Sequence, residues 1–312
     1  MSMITLESAP EVLLPGIARI LGTDYPELPI LLDKIFYKQS SDMNAEYVQH
    51  VIGLGMAAIK PSGSATVADG GQMGTFLRYT LKPPTIGLMY SVTREILEDN
   101  LYPADFRLAN LGLAKSTNAF LNVLGHAIFN NAATADPSIG GDGVAFAGTH
   151  QVRMSGGSGF AGSYSTTTTI PQSLSEASLI QAVQTIPATY VDNRGLYMQI
   201  KANTLMCHNN KHAIAMRLLG AQGQPDVISN NPNVLPFMNG GIKDLIVSPY
   251  FTNQNAWYLT TDQKGFCNVK RKPFEITMYP DFKTDNLEIK SYCREGFFLV
   301  DCRGAWLQLA TA

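Results

Sequence analysis

The stretch PADFRLANLGLAKSTNAFLNVLGHAIFNN, residues 103–131, decides how the rest of the chain is read. Pro103 stands where a helix begins, because its missing N–H is one that a first helical turn leaves unused anyway. No further proline follows before Asn131, and Phe106, Leu111, Ala114, Leu121, Leu124 and Ile128 fall near helical spacing. A helix over 104–131 is about 40 Å long at 1.5 Å per residue. That length makes it the spine of a domain.

Working back from the spine, Thr93 to Asp99 reads as a short acidic helix, and Pro83-Pro84 ends a different kind of pattern. Phe76, Arg78 and Thr80 alternate with Leu77, Tyr79 and Leu81, which is strand periodicity. Tyr47 to Ile59 is apolar and partly β-branched, and between the two runs lies Lys60-Pro-Ser-Gly-Ser-Ala-Thr-Val-Ala-Asp-Gly-Gly71. Two strands joined by so small-residued a tip make a long hairpin with little core of its own, and such a hairpin needs a partner surface. Residues 1–46 carry prolines at 10, 15, 26 and 29 and only short apolar pieces such as Ile30 to Ile35, so they read as an irregular, extended arm.

Working forward, Asp136 to Thr169 is glycine-dense and weakly charged, and reads as a long surface loop or domain boundary. Ser173 and Glu176 have capping-box spacing ahead of a helix carrying Leu179, Ala182, Val183 and Ile186. Asp192 to Gly195 is a turn; Thr204 to Cys207, Ile242 to Val247 and Ala256 to Thr260 are strands; His212 to Leu219 is a helix closing on Gly220. Phe274, Ile276 and Met278 alternate with Glu275, Thr277 and Tyr279, and Leu287, Ile289 and Ser291 with Glu288, Lys290 and Tyr292, with Asp281 to Asn286 as the hairpin loop between them. Helices mixed with mostly antiparallel strands, without a βαβα rhythm, make the chain α+β.

Its 312 residues suit one large or two medium domains. Only 15% are charged, against about 25% in an average soluble chain. The net charge of −2 argues against a protein whose main task is gripping nucleic acid by electrostatics. Low charge also lowers the desolvation cost of covering the surface with other chains. Cys207, Cys267, Cys293 and Cys302 form no C-x-x-C pair and read as reduced, mostly buried thiols. No secretion signal opens the chain and no apolar run approaches the ~20 residues of a membrane span. Folding in cytosol is therefore expected, and a chain opening at Met1 implies that no large N-terminal segment was removed.

Few motifs carry chemistry. Gly157 to Gly162 matches G-x-G-x-x-G and Gly53 to Ala58 its Ala variant, but a dinucleotide site needs a helix to follow, and neither opens one. Cys207, His208 and His212 have metal-ligand character without a fourth ligand, and read better as a strand-to-helix junction capped by Asn209 or Asn210. His126 reads as a packed or solvated helix position and His150 as a loop residue. Lys270-Arg-Lys272 reads as a solvated face. No catalytic, cofactor-binding or metal-ligating residue is assigned.

Read in order, the segments resemble tailed-bacteriophage major capsid proteins of the HK97-like fold, and within them the Mu-like prophage head-subunit group. Gly55-Met-Ala57 precedes the hairpin tip, with Asp69-Gly-Gly71 and Phe76-Leu-Arg-Tyr79 on its returning side. Thr85 to Tyr102 is similar to the family's strand-into-helix passage, and Gly140 to His150 to its loop after the spine. Leu174 to Leu179, Asp192 to Gly195, Asn255 to Leu259 and Asp301 to Trp306 match later landmarks. The resemblance runs from about residue 47 to 306. The segment at His150 lacks the family's following proline, and the arm is not recognisable residue by residue.

The resemblance implies an N-terminal arm (1–46) and a peripheral domain (47–135 and 263–303) holding an E-loop hairpin (52–91) and the spine helix (104–131). It implies an axial domain from 136–262 and 304–312. It further implies a structural subunit forming hexamers and pentamers of an icosahedral head around double-stranded DNA held non-specifically. A portal protein would sit at one vertex, scaffold or decoration proteins could join, and neither membrane nor cofactor is involved. Assembly would occur in host cytoplasm and the final location is the virion. E-loop contacts to a neighbouring subunit are expected from Lys60, Pro61, Gly63, Asp69, Gly70 and Arg78. Because some members join a hairpin lysine covalently to a neighbour's asparagine, Lys60 or Lys82 with Asn286 are the formal candidates. An encapsulin-like shell around a cargo enzyme is the alternative with the same fold.

Overall fold

The computed structural model describes residues 30–52, 74–95, 103–135, 142–153, 160–220, 233–235 and 241–310, with isolated positions 57, 59, 60, 62, 63 and 238. The spine forms as α1, Pro103–Asn130. Leu113, Ala114, Leu121, Ile128 and Phe129 are buried along it, while Phe120 and Val123 are about half exposed on the opposite side. Of the stripe read from the sequence, Ala114, Leu121 and Ile128 are buried and Leu111 and Leu124 half-buried, while Leu113 and Phe129 join the packed side without having been read there.

Two four-stranded sheets receive this helix. The first has the order β1 (Tyr37–Ser40), β10 (Phe266–Pro280), β11 (Leu287–Leu299), β4 (Thr85–Val92). α1 lies on β11 and β4, where Leu113 joins Val92, Met278, Leu287 and Ile289. The alternation at 274–292 becomes the β10–β11 ladder, in which Met278 faces Ile289 and Pro280 closes on Leu287. The second sheet has the order β12 (Ala305–Gln308), β9 (Trp257–Thr261), β7 (Ala202–His208), β8 (Asp244–Ser248). Trp257, Tyr258, Leu205, Met206, Trp306 and Leu307 are fully or almost fully buried there.

One core spans both sheets rather than one for each. Phe129, near the end of α1, is its pin: its ring centroid lies 5.2 Å from Tyr258 of the second sheet and 5.2 Å from Phe266 of the first. The chain crosses between sheets where Gly265 meets Gly304. A Cβ on Gly265 would stand 2.4 Å from the Gly304 Cα, and one on Gly304 2.5 Å from the Gly265 Cα, so only glycines permit the crossing.

Several expectations are corrected. The end of the arm is not irregular: Leu32 and Phe36 enter the core, and β1 pairs in parallel with β10. Residues 1–29 lie outside the described residues. The segment read as a loop at 136–169 contains the hairpin β5 (Thr149–Arg153) and β6 (Phe160–Ser165), with Phe146, Val152 and Tyr164 in the core. Tertiary burial of a few large side chains overrides its glycine-rich composition. Helix α2, Glu176–Thr189, is capped by Ser175, not Ser173, and the Ser178 hydroxyl serves where Glu176 was expected to. His208, not an asparagine, caps the turn before α3, His212–Gly220, by accepting from the Asn210 N–H. Of the expected acidic helix, Arg94 and Glu95 are helical and residues 96–99 lie outside the described residues.

His126 of α1 is fully buried against Tyr250 and Phe251. Nδ1 faces the Asn122 carbonyl at 2.6 Å, and Nε2 has no hydrogen-bond partner among the described residues. Burial lowers its pKa, and the Asn122 carbonyl opposes this in part. Below the ordinary histidine value the unfolded chain takes up a proton that the folded one refuses, so stability falls as pH drops from about 6.5. His126→Phe is expected to remove that component. In urea unfolding of unassembled subunits between pH 7.5 and 5, the wild type should lose up to about 1.4 kcal/mol per pH unit more than the variant. Parallel pH profiles would overturn this.

Candidate assembly surfaces and the buried node beneath them

The hairpin of β2 (Glu46–Ile52) and β3 (Gly74–Leu81) packs its largest described side chains at its root, and Ile52 at its far end is also buried. Tyr79 and Leu81 bury against Cys267 and Val269 of β10. The Tyr79 hydroxyl donates to the Val300 carbonyl, and His50 Nε2 donates to the same oxygen at 2.8 Å. Burial drives the Tyr79 phenol well above its ordinary pKa, so it remains a donor. On the other face Tyr47 is exposed, with the Arg78 guanidinium 4.7 Å over its ring, and Val51 is 52% exposed. A two-stranded ribbon with aromatic and β-branched side chains open to solvent is an unpartnered surface.

Of the expected contact residues, Arg78 is on this open face, and Lys60 and Gly63 are exposed, Gly63 with φ +79° in a turn. Pro61, Asp69 and Gly70 lie outside the described residues. Lys82 is exposed just after β3, while Asn286 closes the β10–β11 loop by accepting from the Asp281 N–H. Phe282, at the tip of that same loop, is 99% exposed.

Behind the hairpin root lies a charged node that sequence reasoning missed. Asp301 caps a short 3-10 turn, Cys302–Gly304, that contains Arg303, and the two side chains are only 9% and 7% exposed. Arg303 Nη1 reaches both Asp301 oxygens at 3.2 and 3.4 Å, Nε donates to the Val191 carbonyl at 2.8 Å, and Nη2 to Asn193 Oδ1 at 2.9 Å. Its guanidinium lies 4.6 Å over the Tyr164 ring. Burial works against the charge, but Asp301, helped by Tyr164 and Cys302, outweighs it and raises the Arg303 pKa. His150 stacks on Tyr164 at 5.3 Å and meets Asp142 Oδ2 at 2.6 Å. Burial would raise the Asp142 pKa; the His150 hydrogen bond and charge and the Val144 N–H hold it below the ordinary value instead. His150 is thus a buried strand residue, not a loop one. The signal available was the close sequence neighbourhood of Asp301 and Arg303 before an apolar strand, but nothing local pointed to residues 142, 150, 164 or 193.

The other motifs dissolve into structure. Cys207 is buried in β7, its thiol pushed up to about 11 by burial, and among the described residues no group of three or more His, Cys, Asp or Glu is placed to hold a metal. The pattern at 157–162 runs into strand β6, and that at 53–58 lies mostly outside the described residues. Lys270 pairs with buried Glu295, Arg271 donates to Asn44, and Lys272 is exposed. No described helix is long and apolar enough to cross a membrane.

A family model described as phage capsid protein matches residues 78–307. The chain belongs to that family. This capsid protein is similar to several solved shells. The Cyanophage A-1(L) capsid is 13% identical over 93% of this chain and 96% of that one, with a TM-score of 0.56. The capsid of the native GTA particle is 14% identical over 92% and 93%, with a TM-score of 0.54. The virus-like particle from Pyrococcus furiosus is 11% identical over 98% and 99%, with a TM-score of 0.52. At such identities the likeness is one of fold, and the fold is HK97-like. No curated protein matches the chain, and the matches do not single out the Mu-like group. The chain is a phage major capsid protein, a structural component of the virion that assembles into an oligomeric shell; its family is not a class of enzymes.

Proposed function

We propose that this capsid protein tiles an icosahedral tailed-phage head as hexamers and pentamers around double-stranded DNA, assembling in host cytoplasm with a portal at one vertex. The observation that carries this reading is the β2–β3 ribbon, anchored at its root and open along its outer face, on a chain whose family builds shells. In this reading residues 52–91 are the E-loop that crosses a neighbouring subunit. The sheet containing β10 and β11, with α1, belongs to the peripheral domain (47–135 and 263–303), and the sheet containing β7, β9 and β12 to the axial domain (136–262 and 304–312). The arm is 1–46. A net charge of −2 suits a wall that must contain DNA and later release it, because a strongly basic one would hold it through counterion release.

Cryo-electron microscopy of particles purified from the producing host, with an assay for nuclease-protected nucleic acid, tests this. DNA-filled closed shells bearing a portal are expected. Shells enclosing a protein cargo and no DNA would favour the encapsulin-like alternative, and a persistent monomer would overturn both. Denaturing gels of the same particles test a link in which Lys60 or Lys82 Nζ forms an amide with a neighbour's Asn286 Cγ, with ammonia leaving. Multimer ladders are the expected sign, and a monomer band alone removes the idea.

A further inference from the structure

We infer that Asn193 is a positioning residue for assembly: its side-chain amide ties the end of β2 to the Arg303 node and so fixes the direction in which the hairpin leaves the subunit. The inference rests on the reading of that hairpin as the E-loop.

The ladder between β2 and β3 is irregular at one place. His50 faces Leu77 but Val51 faces Thr75, so Phe76 is an extra residue in β3. A bulge of this kind bends and twists a ribbon locally. On the root side of the bulge the body holds the hairpin through Tyr79 and His50, both on the Val300 carbonyl. On the far side it gives the hairpin the bond from Asn193 Nδ2 to the Val51 carbonyl, 3.1 Å. Twenty-one further residues, 53–73, separate Ile52 from Gly74, so a small tilt at the bulge displaces everything beyond it.

Asn193 can hold that tilt because it is itself held. It sits in a turn where Asp192 Oδ1 accepts from the Arg194 and Leu196 N–H groups at 2.7 and 2.9 Å, and Gly195 takes φ +83°. Its Oδ1 accepts from Arg303 Nη2, which leaves Nδ2 pointing at Val51. This is the one amide orientation that satisfies a donor on one side and an acceptor on the other. Arg303 is in turn fixed by Asp301, the Val191 carbonyl and Tyr164. The chain Val51–Asn193–Arg303–Asp301 therefore connects the hairpin to the junction of the two sheets. A single half-exposed hydrogen bond adds little to subunit stability, so its value lies in orientation.

Asn193→Asp separates the two roles: the carboxylate still accepts from Arg303 but cannot donate to Val51, and instead repels that carbonyl. In the full-length chain this variant is expected to keep the wild-type urea midpoint as unassembled subunit. Amide exchange at Val51 and Ile52 should quicken at least fivefold, and the yield of closed particles should fall at least fivefold in favour of irregular ones. Asn193→Ala should do the same to exchange and yield, with any loss of midpoint reporting the Arg303 contact. Unchanged exchange in Asn193→Asp overturns the latch, and faster exchange with a normal yield of closed particles overturns its role in assembly. Neither result touches the capsid reading, which the wild-type particles decide.

Discussion

Arg303→Met is expected to cost the unassembled subunit about 3–5 kcal/mol, the range for removing one partner of a buried ion pair. Methionine fills much of the volume, so the loss is not mainly a cavity. What remains is an Asp301 carboxylate in a site 9% exposed, together with a Val191 carbonyl and an Asn193 amide oxygen stripped of their donors. Against a total of about 5–15 kcal/mol for a folded domain, that is enough to leave much of the protein insoluble. Arg303→Lys should rescue little, because an ammonium cannot supply the forked bonds or lie flat on Tyr164. Asp301→Asn in the Met background should recover part of the loss. Asparagine removes the stranded charge yet keeps the oxygen that accepts from the Arg303 N–H at 2.9 Å. Urea midpoints for the wild type, Arg303→Met, Asp301→Asn and the double variant measure the coupling, and a cost below 1 kcal/mol for Arg303→Met would show the pair to be dispensable.

The parts of the fold that were legible in the sequence are those written in local periodicity. Pro103 and the near-helical spacing of apolar residues from Phe106 to Ile128 marked α1 to within a residue, and the alternation around Met278 and Ile289 marked the β10–β11 hairpin. The hairpin root was legible too, because Tyr79 and Leu81 share one face of an alternating run. What stayed hidden depends on contacts across the chain. Four residues of β1 carry too short a pattern to announce a strand, and it exists because β10 offers an edge 230 residues away. The 149–165 hairpin looks like linker by composition, and only the core around Phe146 and Tyr164 makes it a structural element. The node joins residues 142, 150, 164, 193, 301 and 303, and no window of sequence contains more than two neighbouring members of it.

The shortage of charge, 15% of the chain, also gains a physical reading. Several of the charges in the described body are paired internally: Asp301 with Arg303, Glu295 with Lys270, Asp285 with Arg94, Asp33 with Lys38. Arg78 lies on the Tyr47 ring, and Glu95 is held below its ordinary pKa by its own backbone and the Thr93 side chain. Surfaces left open, on the β2–β3 ribbon, at Phe282 and along Phe120 and Val123, carry large apolar side chains. A subunit whose neighbours are copies of itself loses less desolvation energy by docking such surfaces than by docking charged ones.

That argument predicts a separation between folding and assembly at the hairpin tip. Deleting Pro61 to Gly71 is expected to leave the subunit folded and monomeric while reducing closed particles by more than tenfold. The packing described for the ribbon lies at its root, in Tyr79, Leu81, Cys267 and Val269, and the seven rungs from Glu46–Leu81 to Ile52–Gly74 are all outside the deletion. Shortening a connection changes its closure entropy only slowly with length, so the urea midpoint should move by less than about 1 kcal/mol. Assembly has no such buffer on the proposed reading of the hairpin as the E-loop, in which the deleted residues are contacts to the neighbouring subunit. Circular dichroism and urea unfolding read the first half of the prediction, and electron microscopy with sedimentation reads the second. Wild-type yields of closed particles from the deletion would remove the hairpin from the assembly surface. An unfolded variant would instead show that the tip supports its own subunit, which would equally overturn the separation.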